Sequence, residues 1–288
     1  MANENPSSIP SLPFIRPDRK QFPFELIKLD EIPQKWAQCQ PHRHDYYELW
    51  IIKSGHSVQS VDFVEYHLSD GDILYIPPGS VHQISAATVS EALIILAKQE
   101  LFDVEQASLL RNHPGFLPLY ASYKVTLPSG ETEVWQTQLE SLITLYEKED
   151  YPSYKLLMQY QLVGLMLFIY QWIEQPKQPI DSNSLVLQFT KLLETSYRQE
   201  HSVQYYAEAL SVSSRKLNQQ LKAATGRGTQ DWLIDRVILE ARRELIYSDL
   251  SVKEVAFGLG FQDNFYFSRI FKRRIGQSPD RFRQEHKQ

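Results

Sequence analysis

The chain is poor in cysteine and glycine, and its first residues carry no apolar leader. Its one cysteine, Cys39, cannot form an internal disulfide. That excludes a stapled secreted scaffold and fits a reducing compartment. With 11 Gly and 16 Pro in 288 residues, a collagen-like or low-complexity chain is also excluded. Met1 to Pro10 are polar and lack a signal-peptide h-region, so the expected location is the cytoplasm. There is no phosphate-binding Gly-rich loop, no CxxC zinc pair and no Gly-x-Ser-x-Gly elbow.

What remains is a chain that is 42% hydrophobic, too apolar for disorder and long enough for two domains. The net charge of −5 argues against a uniformly basic nucleic-acid binder. That average hides an asymmetry. From Ile180 to Gln288 there are 17 Lys and Arg against 13 Asp and Glu, while the rest of the chain has 13 against 22. An acidic front and a basic back suggest different partners.

The sequence texture divides the chain into five segments. Residues 1–22 are an N-terminal arm. Residues 23–130 hold short strands such as Glu48–Lys53, Val58–Val64, Asp72–Ile76 and Ala92–Leu96, separated by turns at Ser54-Gly55, Ser69-Asp70-Gly71 and Pro77-Pro78-Gly79. Strands at this spacing predict an antiparallel barrel or sandwich. Residues 131–174 turn helical: Trp135, Leu139, Leu142 and Tyr146 fall near one face of a first helix. Ser153 is placed to cap a second helix, Tyr154 to Ile173, which is apolar nearly all round. Gln159, Gln161 and Gln171 interrupt that run, so it reads as a buried or interface helix, with a homodimer contact expected, and not as a membrane span. Residues 175–184 carry two prolines and read as a linker. Residues 185–288 are helical. The fold class expected is therefore multidomain α+β, with a β-barrel and two helices preceding an all-α domain.

That last segment contains an internal repeat. Ser202, Val203, Ala207 and Leu210 match Ser251, Val252, Ala256 and Leu259 at an offset of 49. Leu217, Leu221, Lys222 and Gly226 match Phe267, Phe271, Lys272 and Gly276 at an offset of 50. The slip falls in a turn, where an insertion is cheap. Each unit reads as helix-turn-helix, and Trp232 to Tyr247 is one amphipathic helix joining them. In the second unit, Ser251 and Asp263 or Asn264 are placed as helix caps, and Gly260 suits a positive φ at the turn. Ser211 holds the matching place in the first unit, which is tolerable if that turn is less left-handed. The outer faces of the two recognition helices are Arg215, Lys216, Asn218, Gln219 and Lys222, then Asn264, Phe265, Ser268, Arg269, Lys272 and Arg273. Any one of these alone is an ordinary solvated residue, but two such stripes on repeated units point to double-stranded DNA. Arg269 suits a guanine edge and Asn264 an adenine edge. Lys272, Arg273 and Arg274 suit phosphates.

The run Gly260-Phe261-Gln262-Asp263-Asn264-Phe265-Tyr266-Phe267-Ser268-Arg269-Ile270-Phe271-Lys272, followed by Gly276-Gln277-Ser278-Pro279 and Phe282-Arg283, resembles the signature of the AraC/XylS family of bacterial transcription regulators. The resemblance extends over about Leu185 to Glu285. It implies two helix-turn-helix modules set into successive major grooves, with the positions of Arg215, Asn218, Gln219, Asn264, Ser268 and Arg269 facing bases. It also implies RNA polymerase as a partner, with activation the commoner mode.

In the front half, His42-x-His44-x3-Glu48 precedes Gly55, and Gly71, Pro77, Gly79 and His82 follow at the next hairpin. This resembles the two cupin motifs, with Ala86 in place of the usual asparagine. On a strand, His42 and His44 share a face. With Glu48 and His82 they would make a His3Glu set for a divalent metal. Two readings stand. One is a cupin-like sensor in which His42, His44, Glu48, Tyr75 and His82 meet a small organic effector, among Tyr46, Tyr47, Trp50 and Tyr66. The other is a metal-binding cupin enzyme or metal sensor fused to a DNA-binding domain. The first is preferred: no catalytic residues are assigned, no cofactor is required, and the expected partners are DNA, effector and a second copy. The aromatics also suit a plain core, and Cys39 an inert thiol.

Overall fold

The computed structural model describes residues 9–12, 14, 23–29, 40–89, 91–98, 101, 121–128, 130, 132–148, 152–172 and 185–287. Cys39, the 175–184 linker and most of the 1–22 arm lie outside the described residues. Two compact units divide the chain between Gln175 and Pro176.

Among the described residues the first unit carries eight strands: β1 (Phe24–Lys28), β2 (Tyr46–Ser54), β3 (Ser57–Val61), β4 (Val64–Leu68), β5 (Asp72–Ile76), β6 (His82–Ala87), β7 (Glu91–Lys98) and β8 (Tyr123–Thr126). They form two antiparallel sheets among the described residues, not one closed barrel: β1-β7-β2-β5-β8 and β4-β3-β6. The expected strand Val58–Val64 is a hairpin. Asp62 and Phe63 both take positive φ, at 47° and 73°, and reverse the chain between β3 and β4. This is the backbone of a tight two-residue turn, built without the usual Asn or Gly. Asp62 Oδ1 accepts the Val81 N–H at 3.1 Å and holds the turn against the next hairpin.

The five-stranded sheet is buried on both faces, so its strands read as continuous apolar runs. One face, with Leu49, Ile51, Ile73, Tyr75, Leu93 and Ile95, packs on helices α1 (Thr132–Tyr146) and α2 (Tyr154–Tyr170). Tyr146 Oη donates to Glu25 Oε2 at 2.6 Å and ties α1 to β1. The other face, with Tyr46, Trp50, Ile52, Leu74, Ile76, Ile94 and Leu96, meets Val61 and Leu68 of the small sheet. Ser153 precedes α2 but makes no side-chain cap, because its ψ of 19° is not the extended value that aims an N-cap oxygen inward. No helix among the described residues is long and apolar enough to cross a membrane.

The second unit is helical: α3 (Leu185–Ser196), α4 (Val203–Ala209), α5 (Ser214–Thr225), α6 (Thr229–Tyr247), α7 (Val252–Gly258), α8 (Asn264–Ile275) and α9 (Pro279–His286). Each repeat is a supporting helix, a turn and a second helix. The caps repeat too. Ser202 Oγ accepts Gln204 N–H and Ser213 Oγ accepts Lys216 N–H, while Ser251 forms a capping box with Glu254 and Asp263 accepts from Phe265 and Tyr266. Gly226 and Gly276 close α5 and α8 at φ 74° and 88°. The repeat extends one helix further than the sequence reading took it: α6 and α9 both begin just after these glycines, and Trp232 and Phe282 are buried at matching places.

The two turns differ. Gly260 has φ 80°, and a Cβ there would stand 2.4 Å from the Arg198 carbonyl oxygen, so only glycine fits. Ser211 also lies in the left-handed region, at φ 56°. The expectation of a less left-handed first turn is therefore corrected: the backbone reversal is the same, and serine bears the strain.

Between the repeats, α6 carries a buried ionic cluster. Arg198 bonds Glu240 at 2.6 Å and Glu244 at 2.9 Å. Arg236 bonds Glu194 at 2.9 Å, and Arg243 bonds Glu240 at 3.0 Å. The Arg236 guanidinium lies 3.7 Å over the Tyr197 ring. These bonds lock α3 and its C-terminal extension to α6.

Candidate functional site

In the first unit the chain crosses from one sheet to the other just before β2. His42 forms an isolated antiparallel bridge with His82 at the start of β6, and four residues later the chain is in the five-stranded sheet. That crossing brings His44, Glu48 and His82 together, with one ligand-type atom from each within 4.8 Å of the others. All three are buried.

The outer atoms of the cluster are engaged and its inner atoms converge. His44 donates Nδ1–H to the Tyr46 carbonyl at 2.7 Å, and its Nε2 faces Glu48 Oε2 at 2.7 Å. Trp50 Nε1–H donates to Glu48 Oε1 at 2.7 Å. Both nitrogens of His82 are buried without a hydrogen-bond partner, and Nε2 stands 3.5 Å from Glu48 Oε2. Burial alone would raise the Glu48 carboxyl, but His82, His44 and the Trp50 N–H together hold it at about 2. Burial pushes His82 down to about 3, against the pull of Glu48. At neutral pH the site therefore holds a carboxylate and an uncharged imidazole, the forms that coordinate a cation. An orphaned imidazole beside an oriented carboxylate fits a divalent metal.

The other sequence-predicted sensor residues are placed differently. His42 lies beside the cluster: its ring packs 4.2 Å from that of His82, and its Nδ1 bonds the Gln40 carbonyl. Tyr75 is on the opposite face of its sheet. It pairs with Leu49, not Glu48, and stacks between Tyr47 and Tyr123 on the helix side. The strand period of two separates it from the histidines. Tyr46 and Trp50 do share their face, and Tyr66 bonds Ser122 at the edge of that core.

Two residues escaped the sequence reading. Ser57 and Gln59 alternate inward along β3, and neither the Ser57 hydroxyl nor either polar atom of the Gln59 amide has a partner. Their cross-strand neighbours place them in line with His82 on the inner face of the small sheet. The available signal was a polar residue at every second position of a strand with an apolar end, but the burial comes from the opposing sheet.

In the second unit, Arg215, Lys216, Gln219 and Lys222 are exposed on α5. Asn218 has another bond: its Oδ1 accepts the Thr229 N–H at 3.0 Å, replacing the cap that Gly228 cannot supply to α6. On α8, Phe265 is 75% exposed, Arg269, Lys272 and Arg273 are exposed, and Asn264 and Ser268 are half-buried. Arg274, assigned to phosphates with its two neighbours, is exposed but already engaged. It pairs with Asp235 and so ties α8 to α6.

The AraC-like ligand binding domain family matches residues 31–162, and a helix-turn-helix domain family matches residues 206–285. One chain thus carries an AraC-like ligand binding domain followed by a helix-turn-helix domain. It is 28% identical over 247 residues to the HTH-type transcriptional activator RhaS of Yersinia pestis (strain Pestoides F), covering 83% of this chain and 86% of the relative. RhaS of Yersinia pseudotuberculosis serotype O:1b (strain IP 31758) matches to the same extent. Among solved structures, the DNA-binding domain of AdpA in complex with a target DNA is 31% identical, covering 35% of this chain and 90% of that one with a TM-score of 0.32. The histidine cluster falls within the ligand-binding match, and both recognition helices fall within the helix-turn-helix match.

Proposed function

We infer that this AraC/XylS regulator is a ligand-responsive, sequence-specific DNA-binding activator that acts in the cytoplasm as a homodimer and engages RNA polymerase. The observation that carries the reading is the duplicated helix-turn-helix, with an exposed cationic and polar stripe on each recognition helix. Arg215, Gln219 and Arg269 are assigned to base edges, with Phe265 against a thymine methyl group. Lys216, Lys222, Lys272 and Arg273 are assigned to phosphates, which set position and salt dependence. Helix α6, 19 residues long and so about 28 Å, fixes the separation of the two units.

The effector is assigned to the space between the two sheets, where Ser57 and Gln59 offer a hydroxyl and an amide to a neutral, hydrogen-bonding molecule. A buried polar group without a partner is costly, and a ligand that supplies the bonds recovers that cost. No reaction is assigned to this site. The dimer is assigned to the outer face of α2, where Leu156, Leu157, Tyr160 and Leu167 are exposed. A Cβ at Gly164 of the same helix would meet nothing within 4 Å. Exchange of Tyr160 for Glu should leave a monomer in sedimentation equilibrium.

The deciding experiment is selection of genomic fragments by the full-length protein at ~0.15 M salt, where non-specific phosphate binding is weak. Two half-sites about one helical turn apart are expected, ~10 bp centre to centre. Recovery of no preferred sequence, with or without cell extract as an effector source, would overturn the reading.

A further inference from the structure

We propose that Phe265 makes the second recognition helix a reader of the pyrimidine C5-methyl group, so that 5-methylcytosine stands in for thymine at one operator position and cytosine methylation there raises occupancy. The inference rests on the DNA-binding reading above and names the chemistry and the regulation of one of its contacts.

Phe265 is 75% exposed, the most exposed large apolar side chain among the described residues. Folding gives no reason for it: the core side of α8 is Phe267 and Phe271, both fully buried. Two other aromatics of the second repeat are about half exposed, but each has company. Tyr266 packs near Phe261 and lies under the Arg269 guanidinium, and Phe257 lies under the Lys253 ammonium. The Phe265 ring makes no such contact among the described residues.

Its position and its neighbours point to DNA. It is the second residue of α8, and the N-terminal residues of a recognition helix are those that contact base edges. Asp263 accepts the Phe265 and Tyr266 N–H groups at 2.9 and 3.2 Å, which fixes the turn that carries the ring. Arg269 and Lys272 stand four and seven residues further along the same face, and both are exposed. A protein partner would have to bury those cations with the ring, whereas a duplex meets them with base acceptors and phosphates. Along the major groove the base edges offer one apolar group, the C5-methyl of thymine. 5-Methylcytosine carries the same methyl on the same ring carbon, and uracil and cytosine lack it. The matching place in the first unit is Arg215, at the offset of 50, so the sensitivity belongs to the second half-site alone.

The test uses the full-length protein and synthetic duplexes of the selected sequence, titrated by fluorescence anisotropy. Each thymine of both half-sites is replaced in turn by uracil. At one position the loss of the methyl should weaken binding about three- to fivefold, the worth of one buried methyl group. With cytosine at that position, C5 methylation should strengthen binding by a similar factor. Phe265→Ala should bring both ratios to about one, and Phe265→Leu should keep most of each. Phe257→Ala should leave both unchanged. Ratios taken within one variant cancel any change in folding or in overall affinity. Sequence-specific binding with no thymine-to-uracil effect overturns this proposal alone, as does a methyl effect that survives Phe265→Ala or that Phe257→Ala removes equally. Recovery of no preferred sequence overturns the regulator reading and this proposal with it.

Discussion

Glu240 on α6 and Gln59 on β3 are both shut away from solvent, at 1% and 0% exposure, and their surroundings are opposite. Glu240 touches Arg198, Arg236 and Arg243. Gln59 has no hydrogen-bond partner on either side-chain atom. The DNA-binding unit uses buried polarity to fix one geometry, which two recognition helices on one duplex require. Along β3 the sensor unit leaves buried polar atoms unmet, which a site that must gain from binding requires. A ligand shifts an equilibrium only by its different affinity for two states, and unpaired interior groups are where such a difference arises.

The largest effect that tests this contrast is Glu240→Ala. Removing one partner of a buried ionic cluster leaves arginines uncompensated and costs about 3–5 kcal/mol. In calorimetry of the full chain, the transition of the DNA-binding unit should fall sharply while that of the sensor unit stays in place. A loss below about 1 kcal/mol would mean that solvent reaches the cluster.

The next effects lie on DNA. Arg269→Ala should cost about 1–3 kcal/mol and relax preference at one base position. Lys272→Ala should weaken all sequences about equally and make the salt slope shallower by about one. Arg274→Ala sharpens the comparison, because its pairing with Asp235 predicts a loss of thermal stability with little change in salt slope. Anisotropy titrations at several salt concentrations separate the three.

Gln59→Leu should move stability the other way. Replacing an unpartnered buried amide with an apolar side chain of similar volume should raise unfolding stability by about 1 kcal/mol and remove effector response. Urea denaturation checks the sign. A clear loss of stability would show that the amide is already satisfied by water in the folded protein.

These sites were unequally legible in the sequence, for a physical reason. Helix caps and turns depend on residues a few places apart, so Ser251, Asp263 and Gly260 announced themselves. The repeat made the reading redundant, since each unit checked the other. Roles that depend on distant chain did not show. Arg274 and Asn218 sit on polar stripes like their neighbours, and only the nearness of α6 engages them. Tyr75 was grouped with the histidines by residue type, although strand parity puts it behind the sheet. The β3–β4 turn was hidden because Asp62-Phe63 is a poor turn sequence. Gln59 reads as a surface residue until the second sheet is placed over it.

The smallest predicted effect compares the repeats with each other. Ser211 and Gly260 make the same reversal, at φ 56° and 80°, with different residues. A left-handed conformation disfavours a residue with a Cβ by roughly 1–2 kcal/mol, and glycine in the unfolded chain gives back part of that. Ser211→Gly should therefore stabilise the DNA-binding unit by about 0.5–1 kcal/mol, seen as a rise of a few degrees in its melting temperature. The reciprocal Gly260→Ser should be severely destabilising, because its Cβ would meet the Arg198 carbonyl at 2.4 Å. Equal responses at the two positions would mean that this close approach relaxes when a side chain is added. The two turns would then be interchangeable, and the first unit's serine would be a matter of sequence history with no bearing on its geometry.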